Sequence, residues 1–303
     1  MPRRIVVHGL RLGKSCHSRE SRNLLKDWIP PYQVRGRLSQ ARNDRLRWIH
    51  IVTYSSIIFF LPIILLSTLS PIAFSQTSSV LEVGMFSREK AGEGIPTDWN
   101  PLTFKKIERL TDYTLVKDGD TVVVKAVANA SASGLVRKIR INPDEYPVVQ
   151  WHWKVGNILK KADVNRKAGD DYPARIYITF EYDPSRVSFF EKMKYETIRL
   201  FYGQYPPLAA INYIWEGRAP VETIVPNPYT NRAMMIVVES GEEKINQWVC
   251  EERDILEDYR KAFGEPPPMV SGVAIMTDTD NTGESATAYY GDILFKKAAG
   301  GCP

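Results

Sequence analysis

The sequence predicts a mainly β protein: a two-sheet, jelly-roll-like β-sandwich with two inserted helices, preceded by a signal or transmembrane segment. Three observations predict it. Strict apolar/polar alternation runs through 149–155 and 175–182, which is the period of a strand with one dry face and one wet face. A Val-rich run follows the turn signal Lys117-Asp118-Gly119-Asp120, as in a hairpin. From Trp48 to Leu81 there is no Asp, Glu, Lys or Arg.

The chain has 303 residues and a net charge of +5, unevenly spread. Residues 1–50 hold 12 basic and 3 acidic groups, leaving 28 basic and 32 acidic after residue 75. The exported part is therefore slightly acidic. A nucleic-acid-binding domain should carry its own basic face, so that class is excluded. Residues 1–47 form a basic leader without hydrophobic periodicity; part of it resembles the translation of a dispersed intergenic repeat, and the expected start lies downstream of residue 1. Residues 48–75 follow with the dense apolar run Ile57–Leu66 and with Ala73 and Ser75 before a candidate cut. Basic residues before a short apolar run and a small-residue site are the pattern of a signal peptide. Uncleaved, Ile49–Phe74 is long enough to span a bilayer as an anchor. The expected location is periplasmic or secreted, or anchored to the inner membrane by 49–74.

The remaining 80–298 read as one β-sandwich domain. Strands are expected at Leu81–Phe86, Tyr113–Val116, Thr121–Val127, Ser133–Ile141, Pro147–Val155 and Arg175–Tyr182. Later ones are expected at Ala209–Trp215, Val221–Val225, Ala233–Glu239, Val270–Thr277 and Ala286–Lys296. In Pro147–Val155, Val149, Trp151, Trp153 and Val155 share the core face, and Gln150, His152 and Lys154 face water. In Arg175–Tyr182, Arg175 is placed on the wet face. Helices are expected at Ser185–Phe201, after Asp183-Pro184, and at Glu251–Phe263, closed by Gly264 and Pro266-Pro267-Pro268. Cys250 and Cys302 are the two cysteines after the leader; they form one bridge, or Cys302 is a free thiol.

Chemistry is concentrated in few places. His8, His17, His50 and His152 are the four histidines, so multi-histidine metal sites are excluded from the domain. Asp278-Thr279-Asp280-Asn281-Thr282-Gly283-Glu284 spaces hard oxygen donors before a glycine, as calcium loops do. Asp278, Asp280 and Thr282 are the candidate ligands, calcium the candidate ion, and a polar Asx turn the plain alternative. Gly169-Asp170-Asp171-Tyr172 offers paired carboxylates ahead of Arg175, or a solvated turn. Asp170, Asp171, Arg175, His152, Asp278 and Asp280 are the candidate ligand-binding residues. Asp170, Asp171, Arg175, Asp278 and Asp280 are expected to lie together at one end of the sandwich. Tyr202, Tyr205, Tyr213, Trp215 and Tyr229, among prolines, offer faces for stacking or for packing a loop. No nucleotide loop, His-Glu-x-x-His or Gly-x-Ser-x-Gly is present.

Four of these stretches occur in a characteristic order: Gln150-Trp151-His152-Trp153, Gly169-Asp170-Asp171-Tyr172-Pro173-Ala174-Arg175, Ala274–Glu284 and Tyr289-Tyr290-Gly291-Asp292-Ile293. Over about 83–297 the chain resembles the bacterial exported domain-of-unknown-function family numbered 3047. The resemblance implies an exported, all-β domain and transfers no catalytic residue. The end of the chain, Gly291-Asp292-Ile293-Leu294-Phe295, has a looser likeness to galactose-binding-like jelly rolls. The function these readings favour is a non-catalytic envelope module that binds a carbohydrate or similar ligand. The alternatives are a metal-assisted glycan hydrolase or lyase on the same scaffold, and a structural envelope protein.

Overall fold

A computed structural model of the chain describes residues 78–92 and 94–302, without the side chains of Phe201 and Tyr202. The leader and the segment 48–75 lie outside the described residues. Among the described residues, no helix is long and apolar enough to cross a membrane.

Thirteen strands and two α-helices follow in order: β1 (Val80–Gly84), β2 (Asn100–Leu102), β3 (Asp112–Asp118), β4 (Thr121–Asn129), β5 (Ala132–Ile141), β6 (Val148–Val155), β7 (Ala174–Phe180), α1 (Phe189–Tyr202), β8 (Ala209–Glu216), β9 (Ile224–Asn227), β10 (Thr230–Ser240), β11 (Val249–Asp254), α2 (Ile255–Phe263), β12 (Val270–Asp278) and β13 (Ser285–Lys296). They form two sheets. The first has the order β11-β6-β13-β4-β3, with β1 also paired to β13. The second has the order β2-β5-β12-β7-β8-β10-β9. Pairing is antiparallel except between β8 and β10, which run parallel.

The two-residue alternation decides what lies between the sheets. From the first sheet come Val149, Trp151, Trp153, Val155, Tyr290, Ile293 and Phe295, all buried. The second supplies Ile176, Ile178, Phe180, Tyr213, Trp215 and Ile275. Trp151 stacks on Tyr213 at 5.1 Å between centroids, and Trp153 meets Trp215 at 5.8 Å. The indoles of β6 thus fill the core, as the alternation predicts, whereas Gln150, expected to face water, is buried beside Cys250 of the edge strand. Gly134 on β5 is required by close strand approach: a Cβ there would lie 2.7 Å from the Ile275 carbonyl oxygen.

Four expectations need correction. Glu251–Asp254 belong to a strand, not to the second helix. That stretch pairs with Val148–Trp151 on the sheet edge, and the helix begins at Ile255, where the Asp254 carboxylate accepts from the amides of Leu256 and Glu257. The first helix begins at Phe189, because Ser188 and Glu191 close a capping box there. The predicted strand Val221–Val225 is shifted to Ile224–Asn227, the part that finds a partner in β10. The polar face of β7 is not wet: Arg175 and Tyr177 are buried, and Tyr177 packs with Ala210, Ala274 and Met276 under Leu102, Phe104 and Ile107. An alternating strand exposes its polar face only if no loop crosses it, and here one does.

Cys250 and Cys302 are joined by a disulfide. It ties the chain after β13 to the edge strand β11, where Glu252 also accepts from the amides of Gly300 and Gly301.

Candidate functional site

The end of the sandwich where β12 stops and β7 starts collects the acidic motifs. Asp278 is the last residue of β12, and Asp170 and Asp171 precede β7. Asp280, Asn281 and Thr282 lie in the β12–β13 loop, and Asn227 ends β9. The loop before β7 folds tightly because residue 169 is glycine; a Cβ there would lie 2.7 Å from the Asp163 amide nitrogen.

Arg175 is the hub. Its Nε donates to Asp278 Oδ1 at 2.7 Å, and Nη2 donates to the second Asp278 oxygen. Nη2 also donates to the Asp170 carbonyl at 2.6 Å, and Nη1 to Asp170 Oδ1 at 3.4 Å and to the Tyr177 hydroxyl at 3.2 Å. Its guanidinium lies over the Tyr172 ring, 4.4 Å from the centroid. All five N–H groups are thereby used. Asp171, completely buried, accepts from the amide and side-chain nitrogens of Asn281 and, at 2.6 Å, from the Thr282 amide. Asp170 also accepts from Asn227 Nδ2 at 2.9 Å. Tyr229 closes the rim by donating to Asn281 Oδ1 at 2.9 Å.

Asp170, Asp171, Arg175 and Asp278 are each less than a tenth exposed, and Asp280 is half-buried. Two carboxylates, Asp170 and Asp278, therefore bond one guanidinium, with Asp171 and Asp280 close by. Burial raises Asp170, Asp278 and Asp280 above the usual carboxylate range, with Arg175 pulling each of them down. One carboxylate oxygen from each of Asp171, Asp278 and Asp280 lies within 4.8 Å of the others. Hard oxygens so spaced suit a divalent cation such as calcium. Asp278 would have to share its oxygens with Arg175, and Asp280 is the member that opens to solvent. Thr282, the third ligand expected from sequence, contributes differently: its hydroxyl accepts from the Glu284 amide and its backbone holds Asp171.

Asp170, Asp171 and Asp278 are buried, so the expectation of a solvated turn at Asp170-Asp171 is corrected. Short polar side chains become core when a partner loop, here 280–282, folds over them. His152 is not brought to this cluster. It lies on the outer face of the other sheet, opposite the indoles of Trp151 and Trp153, beside Gly291. Burial lowers its pKa, and Asp292 and Lys296 are the charges near it. The proposed aromatic cluster is likewise dispersed. Tyr213 and Trp215 are core, Tyr205 packs on Tyr182, and Tyr229 joins the acidic end.

A second feature was not singled out from the sequence. On the outer face of the first sheet, Lys125, Tyr289 and Lys154 stand in register on β4, β13 and β6. Trp248, just before β11, continues the row. Lys154 Nζ lies 4.5 Å from the Tyr289 centroid and 5.2 Å from that of Trp248. Asp118 accepts from Lys154 and, at 2.7 Å, from Trp248 Nε1, and the hydrogen bond from Lys154 holds its carboxyl below the usual range. Trp248 is 39% exposed. The alternation that buries Tyr290 leaves Tyr289 on the outer face, and strand register puts it beside Lys154.

The sequence matches the family described as Protein of unknown function (DUF3047) over residues 97–294. The chain belongs to the DUF3047 family. The match covers the acidic end and the aromatic row, and begins three residues before β2. Among solved structures the DUF3047 chain is similar to one titled "Cellulose induced protein, Cip1", at 11% identity, over 68% of this chain and 94% of that one, with a TM-score of 0.34. No curated protein matches the chain.

Proposed function

We propose that this is an exported, non-catalytic β-sandwich module, jelly-roll-like in scaffold, that binds a carbohydrate on the outer face of its first sheet. The observation that carries the reading is Trp248, an exposed indole oriented by its bond to Asp118 and flanked by Lys154 and Tyr289. An aromatic face with polar and charged neighbours offers a sugar ring both stacking area and hydrogen-bonding groups. Binding is preferred to bond cleavage because three of the acidic-end carboxylates are already engaged, Asp278 and Asp170 by Arg175 and Asp171 by Asn281 and the Thr282 amide. Export is supported by the uncharged segment after a basic leader and by the Cys250–Cys302 bridge, since such bonds persist in oxidising compartments.

The test is affinity electrophoresis and tryptophan fluorescence against a panel of envelope and plant polysaccharides. Trp248→Ala and Tyr289→Ala should each abolish retardation by the polysaccharide that binds the native chain, with little change in thermal midpoint. Retardation unchanged in both variants, or no binding to any polysaccharide, would refute the reading.

A further inference from the structure

Helix α1 has two apolar faces, and among the described residues only one is covered. Tyr195 and Ile198 are buried, and Tyr195 packs beside Val187 and Leu208. Diametrically opposite, at the 3.6-residue period, stand Phe189 (70% exposed), Phe190 (83%), Met193 (56%) and Leu200 (79%). Four such side chains on one exposed helix face are unusual for a chain surrounded only by water. The helix carries Lys192 and Lys194, beside Arg186, which pairs with Asp183 and Glu265, and Arg199, which pairs with Glu196. Glu191 is bonded to Arg232, and Glu196 to Arg199 and Tyr205. An exposed aromatic and aliphatic stripe with a basic excess is the composition of a helix that lies in a lipid headgroup layer.

The position of α1 names the occupant. It links the end of β7 to the start of β8, so it caps the sandwich end opposite the acidic cluster. The chain enters at that same end: Val80, the first residue of β1, pairs with Lys296, the last of β13. Only Ser75–Ser79 separate the uncharged stretch Ile49–Phe74 from β1, a reach of at most about 17 Å for a fully extended chain.

We infer that α1 is an interfacial helix that seats the domain on an anionic lipid bilayer, with Phe189, Phe190, Met193 and Leu200 at the boundary of headgroups and acyl chains. The domain then stands with its helical end on the membrane and its acidic end and β12–β13 loop pointing away. This inference does not depend on the ligand proposed above.

The experiment uses the full chain in a Cys16→Ser background, reconstituted in vesicles of phosphatidylcholine and phosphatidylglycerol in equal amounts. A nitrobenzoxadiazole label is placed at Met193→Cys or, at the opposite end, at exposed Lys160→Cys. The label at 193 should shift to the blue and be quenched by nitroxide-bearing lipid, while the label at 160 stays water-like. Phe189→Glu combined with Phe190→Glu should abolish the quenching at 193 and leave the thermal midpoint unchanged, because both side chains are exposed. Water-like emission at 193 in vesicles would overturn the inference, as would quenching that survives the double substitution. A blue shift that needs no lipid and grows with protein concentration would assign the face to a second copy instead, and would equally overturn it.

Discussion

Replacing Arg175 by methionine would remove the one cation from a buried group of carboxylates. In the native chain its five N–H groups serve Asp278, Asp170 and Tyr177, and Arg175 itself is 2% exposed. Methionine keeps most of the volume but leaves Asp278 and Asp170 buried without their counter-charge. Breaking a buried pair from one side costs about 3–5 kcal/mol, because the remaining charge stays desolvated. For a domain of this size each kcal/mol moves the midpoint by about 2–4 °C. The expected fall is therefore about 6–20 °C, read by circular dichroism or calorimetry at neutral pH in EDTA. Asp278→Leu in the same chain should return part of the loss, since the pair is then removed together. If Arg175→Met unfolds within about 1 kcal/mol of the native chain, the effect is of surface size. The guanidinium would then not be what holds these carboxylates inside, and the reading of a closed clasp would be wrong.

Other expectations follow from the same geometry. Millimolar calcium should raise the midpoint of the native chain, by about 2.7 kcal/mol at a hundredfold excess over Kd, and Asp280→Ala, which leaves no side-chain oxygen, should remove that rise; an equal rise in the variant would exclude Asp280 as a ligand. Glu251 is pushed up to about 8, first by burial and then by the nearby Glu239 carboxylate. A carboxyl raised on folding contributes stability that is full below its unfolded value near 4.5 and is lost as pH rises towards 8. Urea unfolding should therefore show a negative slope of up to about 1.4 kcal/mol per pH unit in that window, and Glu251→Gln should flatten it; identical slopes would refute the assignment. Gly134→Ala should destabilise by about 1–3 kcal/mol, the range of overpacking, because its Cβ meets the Ile275 carbonyl; an unchanged denaturation midpoint would show that β5 and β12 can part.

How far the residues alone carry the reader depends on the range of the force involved. The alternation in Val149–Val155 assigned Trp151 and Trp153 to the core because side-chain direction along a strand is local geometry. Capping at Ser188, Asp254 and Gly264 is equally local, although the sequence pattern placed both helix starts too early. The strand Glu251–Asp254 was read as helix because its charged residues fit either element, and only the free edge of β6 decides between them. The acidic motifs at 170–171 and 278–284 were visible as motifs, and so was their expected meeting at one end. Their burial was not visible, since it depends on a loop of one motif folding over the other.

By itself, then, the sequence determined the class of fold, the excess of strands over helices, the core face of β6 and β7, and the few residues able to carry charge chemistry. Each rests on period, composition or spacing within about ten residues. The tertiary structure alone decided that Arg175 faces protein rather than water, that His152 sits on the far sheet from the carboxylates, that Lys154 lies between Tyr289 and Trp248, and that one face of α1 has no partner. Those outcomes arise from contacts between residues tens to hundreds of positions apart. No local pattern encodes them, because they depend on which surface each element finds when the two sheets close.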